Sequence, residues 1–132
     1  MARKRYPPTD PREWLNRARS NLALAQSDTV GAMNEDLCFE AQQAAEKAVK
    51  AVFIQNGVIF PYIHDLDALL KRLERSGVKI PKYVRQADEL TKFALVTRYP
   101  RLARVVTKRE YRRAVRIAES VLRWAERRIG TP

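Results

Sequence analysis

The chain is predicted to fold as an all-α protein, an up-and-down antiparallel bundle of about five helices with a four-helix-bundle core and no sheet. Three observations predict this. Apolar residues recur at steps of three and four over long windows, the period of one helix face. Start and stop signals bracket those windows: Asp10-Pro11-Arg12-Glu13 and Thr107-Lys108-Arg109-Glu110 open helices, while Asn56-Gly57, Gly77 and Gly130 close them. No window alternates apolar and polar residues between hairpin turns, and no segment repeats internally.

Residues 1–8, ending in Tyr6-Pro7-Pro8, read as a flexible basic arm, and residues 9–132 as one domain. Asp10 supplies an N-cap acceptor and Pro11 a first helical residue whose missing N–H costs nothing there. Trp14, Leu15, Ala18, Leu22 and Ala25 mark the buried side of a first helix ending near Asp28. The second helix runs from about Asn34 to Asn56-Gly57 and is dense in alanine, the best helix former. Leu37, Ala41, Ala44, Ala45, Ala48 and Val52 form its narrow apolar stripe, with Glu40, Gln43, Glu46, Lys47 and Lys50 assigned to a polar back. Small side chains let such a helix approach its neighbours closely, and the first two helices should pair antiparallel.

The apolar loop from Val58 to Ile63 carries too many large side chains to remain in water, so it should pack across one end of the bundle and set where His64 and Asp65 sit. Leu66, Leu69, Leu70 and Leu73 define a short third helix. Pro81 opens a fourth, through Tyr83, Val84, Ala87, Leu90 and Ala94, which must stop before Pro100 because the residue ahead of a proline avoids the helical region. A long last helix follows, with Tyr111, Ala114, Val115, Ala118, Val121, Leu122, Ala125 and Ile129 inward.

At 132 residues one core suffices without disulfide or metal, and the single cysteine, Cys38, falls on the apolar side of the second helix as a structural thiol. No run approaches a membrane span and no signal-type segment follows the basic N-terminus, so the expected location is cytoplasmic. The net charge of +11 is uneven: from Arg98 onward eleven Lys or Arg face three Glu. Clustered cations of this kind either attract an anionic partner or form a solvated basic surface.

Several residues are candidates for that partner. His64 and Asp65 stand where the third helix begins, either as caps or, for His64, as a hydrogen-bond donor to a base or phosphate. Arg98, Tyr99 and Arg101 combine cationic forks, an aromatic face and a proline-fixed turn, suited to clamping phosphate and stacking on a base; Arg98 pairing with Asp65 is the structural alternative. Lys47 and Lys50 either border the same cleft or cover apolar surface. Arg109, Arg112, Arg113 and Arg116 form a stripe on the last helix that can track a nucleic-acid backbone, although no aromatics interleave there. One His, one Cys and dispersed carboxylates make no zinc cluster, and no Gly-rich phosphate loop is present.

The Ala-rich block from Cys38 to Ala51, then Pro61-Tyr62-Ile63-His64-Asp65-Leu66, then Arg98-Tyr99-Pro100, in that order and spacing, resembles the HEPN family (higher eukaryotes and prokaryotes nucleotide-binding) from about Trp14 to Ile129. The likeness is to its small stand-alone prokaryotic branch. Ribonucleases of this family carry an Arg, four to six residues, and a His; here the Arg positions before His64 are Gly57, Val58 and Ile59, and no His follows Arg98. The resemblance therefore implies a non-catalytic nucleotide-binding module, with Lys47, His64, Asp65, Arg98, Tyr99 and Arg101 around a site for a nucleotide such as ATP and no cofactor. It further implies a homodimer partnered with a small nucleotidyltransferase in a toxin-antitoxin pair. A divergent ribonuclease toxin, or an RNA-binding protein using the last helix, is the alternative.

Overall fold

The computed structural model of the chain describes residues 3–96 and 105–130. Helix α1 spans Pro11–Gln26, α2 Asn34–Gln55, α3 Leu66–Arg75, α4 Lys82–Arg85, α5 Phe93–Val96 and α6 Lys108–Ile129, with a 3-10 turn over Gln86–Leu90 between α4 and α5. Among the described residues there is no strand, as the sequence predicts. No helix of the described chain is long and apolar enough to cross a membrane.

The predicted caps form as the sequence requires. Asp10 accepts from the Arg12 amide at 2.9 Å, and Thr107 and Glu110 form a reciprocal capping box. At the end of α2, Gly57 adopts φ +66, which lets the Val58 amide reach back to the Phe53 carbonyl and the Gly57 amide to Ile54. Gly77 ends α3 in the same way, returning Val78 to Leu73.

Helix α1 lies antiparallel to both α2 and α6. Arg19 pairs with Glu126 at 2.7 Å, Gln26 with Glu119 at 3.1 Å, and the Tyr111 hydroxyl donates to the Ala25 carbonyl, so α1 climbs as α6 descends. The start of α2 meets the start of α6: Asn34 donates to the Val106 carbonyl at 2.9 Å and Glu35 accepts from the Val106 amide at 3.1 Å. Helix α2 is thus the central element. Ala18, Ala25, Ala41, Ala44, Ala45, Ala48, Ala51, Ala118 and Ala125 are all fully buried, so backbones approach along methyl groups on several sides at once.

Three expectations change. First, α2 has no polar back in the sense predicted, because Gln42, Glu46 and Lys50 are buried along with its apolar residues. A helix enclosed on nearly every side must bury whatever its sequence puts there. Second, the single fourth helix is divided. The buried residues Val84, Ala87, Leu90 and Phe93 recur every three positions, the period of a 3-10 helix, and an α-helix would rotate that row steadily off the core. Tyr83, predicted inward, is 41% exposed and its hydroxyl accepts from Arg127. Counted with that divided segment as one, the bundle has the five helices predicted.

Third, residues 3–8 are held against α1. Arg5 makes a two-pronged contact with Glu13 at 2.9 and 2.6 Å, the Tyr6 amide donates to Glu13 at 3.0 Å, and Trp14 Nε1 donates to the Pro8 carbonyl at 2.7 Å. Asn16 donates to the Lys4 carbonyl at 2.8 Å, and Arg12 stacks 4.1 Å from the centre of the Tyr6 ring. Glu13 is only 2% exposed although it lies on the side of α1 away from the core. The segment itself covers it.

The Arg5 hydrogen bonds, with the Tyr6 amide, hold the Glu13 carboxyl down to about 2 from an ordinary 4.5. A carboxyl whose folded pKa is depressed contributes stability that is complete above its unfolded value and disappears as pH falls through the folded one. Unfolding midpoints in urea should therefore decline between about pH 4.5 and pH 2, and Glu13→Gln should flatten that decline. An identical pH slope in the variant would show that Glu13 is not its source. Cys38 is fully buried, and burial pushes its thiol up to about 12, in keeping with the structural role read from sequence.

Candidate functional site

The loop after α2 folds back over the helix it has just left. Phe60 packs edge-on against Trp14 at 5.2 Å and Phe53 at 6.0 Å between ring centres, so the loop is pinned to α1 and α2 together. Val58 and Ile63 also pack against the core, whereas Ile59 and Tyr62 stay exposed. The loop thereby packs over the bundle as the sequence predicts, and brings His64 above α2.

There His64 meets a buried polar row, two of whose members the sequence pattern places on the polar back of α2. Gln42, Glu46 and Lys50 follow one another at steps of four on α2. Glu46 Oε2 accepts from Lys50 Nζ at 2.8 Å, while Oε1 accepts from Gln42 Nε2 and from His64 Nδ1, each at 2.9 Å. Gln42 also reaches the His64 carbonyl at 3.4 Å, and Gln43 donates to Gln42 Oε1 at 2.7 Å. Lys50 Nζ lies 5.1 Å from the centre of the Phe60 ring.

Burial opposes ionisation of Glu46, but the hydrogen bonds from Lys50, Gln42 and His64 outweigh it and hold the carboxyl below its ordinary range. An ionised Glu46 accepts only, so His64 Nδ1 carries the proton in this bond. The other ring nitrogen, Nε2, has no partner among the described residues, and the side chain is 53% exposed. The result is an oriented imidazole backed by a buried carboxylate and ammonium.

The remaining candidates fall in different places. Asp65 caps α3, its Oδ1 accepting from the Ala68 amide at 3.1 Å, and Thr91 Oγ1 accepts from the Leu66 amide at 3.1 Å. The capping half of the expectation describes its contacts. Lys47 turns toward α1 instead of His64: its Nζ donates to Asn21 Oδ1 at 2.8 Å, and Asn21 donates on to Glu40 at 2.7 Å. Burial lowers its pKa. Adjacent helix positions lie about 100° apart, so Lys47 cannot follow Glu46 onto the same face. Arg98, Tyr99 and Arg101 lie outside the described residues.

The α6 stripe divides as well. Arg113 turns aside to pair with Glu89 through two bonds of 2.7 Å, whereas Arg109, Arg112 and Arg116 are exposed and form no ion pair among the described residues. Of the partners around His64, sequence reasoning missed Gln42 and put Glu46 on the polar back, while for Lys50 it offered a place beside the same cleft as one of two alternatives. The signal that pointed to them was the Glu-before-Lys step of four, the favourable helix ion pair, embedded in an alanine-rich run. No three of His, Cys, Asp and Glu come together as a metal-binding group among the described residues.

The model of the HEPN domain matches residues 11–128 of the chain. A search of curated proteins finds no match. Among solved structures, TT1696 from Thermus thermophilus superposes with a TM-score of 0.78 at 31% identity, over 89% of this chain and 96% of its own. ST0689, titled an archaeal HEPN homologue, superposes with a TM-score of 0.74 at 26% identity, over 92% of this chain and 98% of its own. Matched from the first residue of α1 to the last turn of α6, the chain belongs to the HEPN domain family.

Proposed function

We propose that this chain is a nucleotide-binding helical module without catalytic chemistry of its own, and that the nucleotide docks at the His64 edge of α2. One observation carries the reading: an exposed imidazole whose orientation is set from behind by buried Glu46, leaving Nε2 open to a base or phosphate. Such an atom costs little ordering on binding, because Glu46 and Phe60 already hold the loop. Tyr62, 96% exposed two residues before His64, offers a ring for stacking. Family membership supports the ligand class. The same membership is the support for a homodimer working with a small nucleotidyltransferase in a toxin-antitoxin pair.

Calorimetric titration with ATP and other nucleotides tests the docking site. His64→Ala is expected to weaken binding by about tenfold, the loss of one good hydrogen bond, and Arg98→Ala to weaken it as well. Wild-type protein that gives no binding heat with any nucleotide sinks the reading.

The Glu46–His64 pair also favours a second reading. A carboxylate-held imidazole with an outward-facing nitrogen is what a general base requires, and Arg109, Arg112 and Arg116, exposed on α6, are available to hold RNA. Incubation of the pure protein with total RNA separates the two readings, since RNA left intact at high protein concentration excludes the ribonuclease.

A further inference from the structure

The outward side of α1 carries a second constellation, built from none of the residues bonded to His64. Glu13 is the centre of it. Its two oxygens are occupied by Arg5, by the Tyr6 amide, by Asn16 Nδ2 at 3.3 Å and by Arg17 Nε at 3.2 Å. Arg3 Nη1 donates to the Asn16 carbonyl at 2.7 Å, which brings a third guanidinium to the same place.

Each guanidinium has five N–H donors in a fixed fork, and these inward bonds use only some of them. Arg5 keeps Nη1, Arg3 keeps Nε and Nη2, and Arg17 keeps both of its Nη atoms. Arg3, Arg5 and Arg17 line an open hollow of about 500 Å³ together with Glu13, Asn16 and Ser20. Three cations there face one carboxylate, and that carboxylate is already saturated by its own partners.

We propose that this hollow is a phosphate-binding site, in which Arg3 and Arg17 grip the phosphate oxygens and Arg5, locked on Glu13, supplies fixed positive charge. The fork of a guanidinium matches two phosphate oxygens at once. Binding immobilises little that is not already held, because Glu13 and Asn16 anchor the three side chains and the N-terminal segment lies along α1. The phosphate comes either from a small polyphosphate, including the tail of a nucleotide, or from a nucleic-acid backbone.

Two probes distinguish these sources: tripolyphosphate followed by calorimetry, and a fluorescein-labelled oligouridylate followed by anisotropy. Both are applied to the full chain as wild type, Arg17→Ala, Arg3→Ala/Arg17→Ala and His64→Ala. Arg17→Ala leaves the two-pronged Arg5–Glu13 contact in place, so its melting temperature should stay close to wild type while binding weakens. The double variant should raise Kd at least about tenfold for one probe, and the probe affected identifies the source. His64→Ala should leave that Kd unchanged, which separates this site from the nucleotide edge on α2. The proposal is overturned if wild type binds neither probe, or if the double variant binds both within twofold of wild type.

Discussion

Glu46→Ala is expected to destabilise the protein by about 3–5 kcal/mol, the cost of leaving a buried charge without its partner. The charge left behind is the Lys50 ammonium. Its side chain is 8% exposed, and in the native protein Glu46 is the only carboxylate bonded to it among the described residues. His64 and Gln42 lose their common acceptor in the same step. For a domain of this size the melting temperature should fall by roughly 10–20 °C.

The companion experiment is the double variant Glu46→Leu/Lys50→Leu. Replacing both members of a buried pair with apolar groups is often neutral or stabilising, so most of the lost stability should return. Equilibrium urea unfolding measures both. A single variant within about 1 kcal/mol of wild type would mean that Lys50 swings out to water once released. The pH dependence has a fixed sign. The Glu46 carboxyl sits below its ordinary range, so its contribution is complete above that range and is lost as pH falls through the folded value. Wild type and Glu46→Gln should accordingly converge in acid.

Phe53→Ala should cost about 3–5 kcal/mol, the range for removing an aromatic ring from a packed interior. Phe53 is the largest fully buried side chain among the described residues, and with Trp14 it is one of the two helix-borne rings that pack against Phe60. Its loss opens a cavity beneath the loop that presents His64. A second readout should therefore move with stability: chymotrypsin should cut at exposed Tyr62 faster in the variant than in wild type under native conditions. Phe53→Leu, which refills most of the space, should recover more than half of the loss in both assays. A stability loss below about 1 kcal/mol, with unchanged cleavage, would show that Trp14 alone anchors the loop.

The fold was largely legible because its signals are local. Caps at Asp10 and Thr107, the left-handed exit at Gly57 and the three-and-four apolar spacing act within one or two turns of chain. The fourth segment was misread for the same reason. Val84, Ala87 and Leu90 satisfy helical and 3-10 spacing over a short window, and only the alignment of Phe93 with them reveals the tighter period. The N-terminal segment gave no local signal at all. Its anchor is Glu13, which in sequence reads simply as the third residue of a capped helix.

The candidate site was legible in part. His64 and Asp65 stand where the helix-start pattern puts them, and Asp65 caps as its chemistry requires. The partners of His64 were not legible, since Glu46 and Lys50 look like any exposed i, i+4 pair until a loop from farther along the chain closes over them.

The amino-acid order alone determined the first three helices and the last, with their ends, the burial of the alanine-rich strip and the absence of the family's Arg-and-His nuclease motif, because each depends on residues a few positions apart. Which polar groups are buried, and what they hold, was decided only when Phe60 wedged between Trp14 and Phe53 and residues 3–8 lay down on α1. Burial turns an ordinary surface carboxylate into the fixed point around which neighbouring cations and imidazole must arrange, since in a water-poor setting a charge left unpaired costs far more than the same charge in solvent.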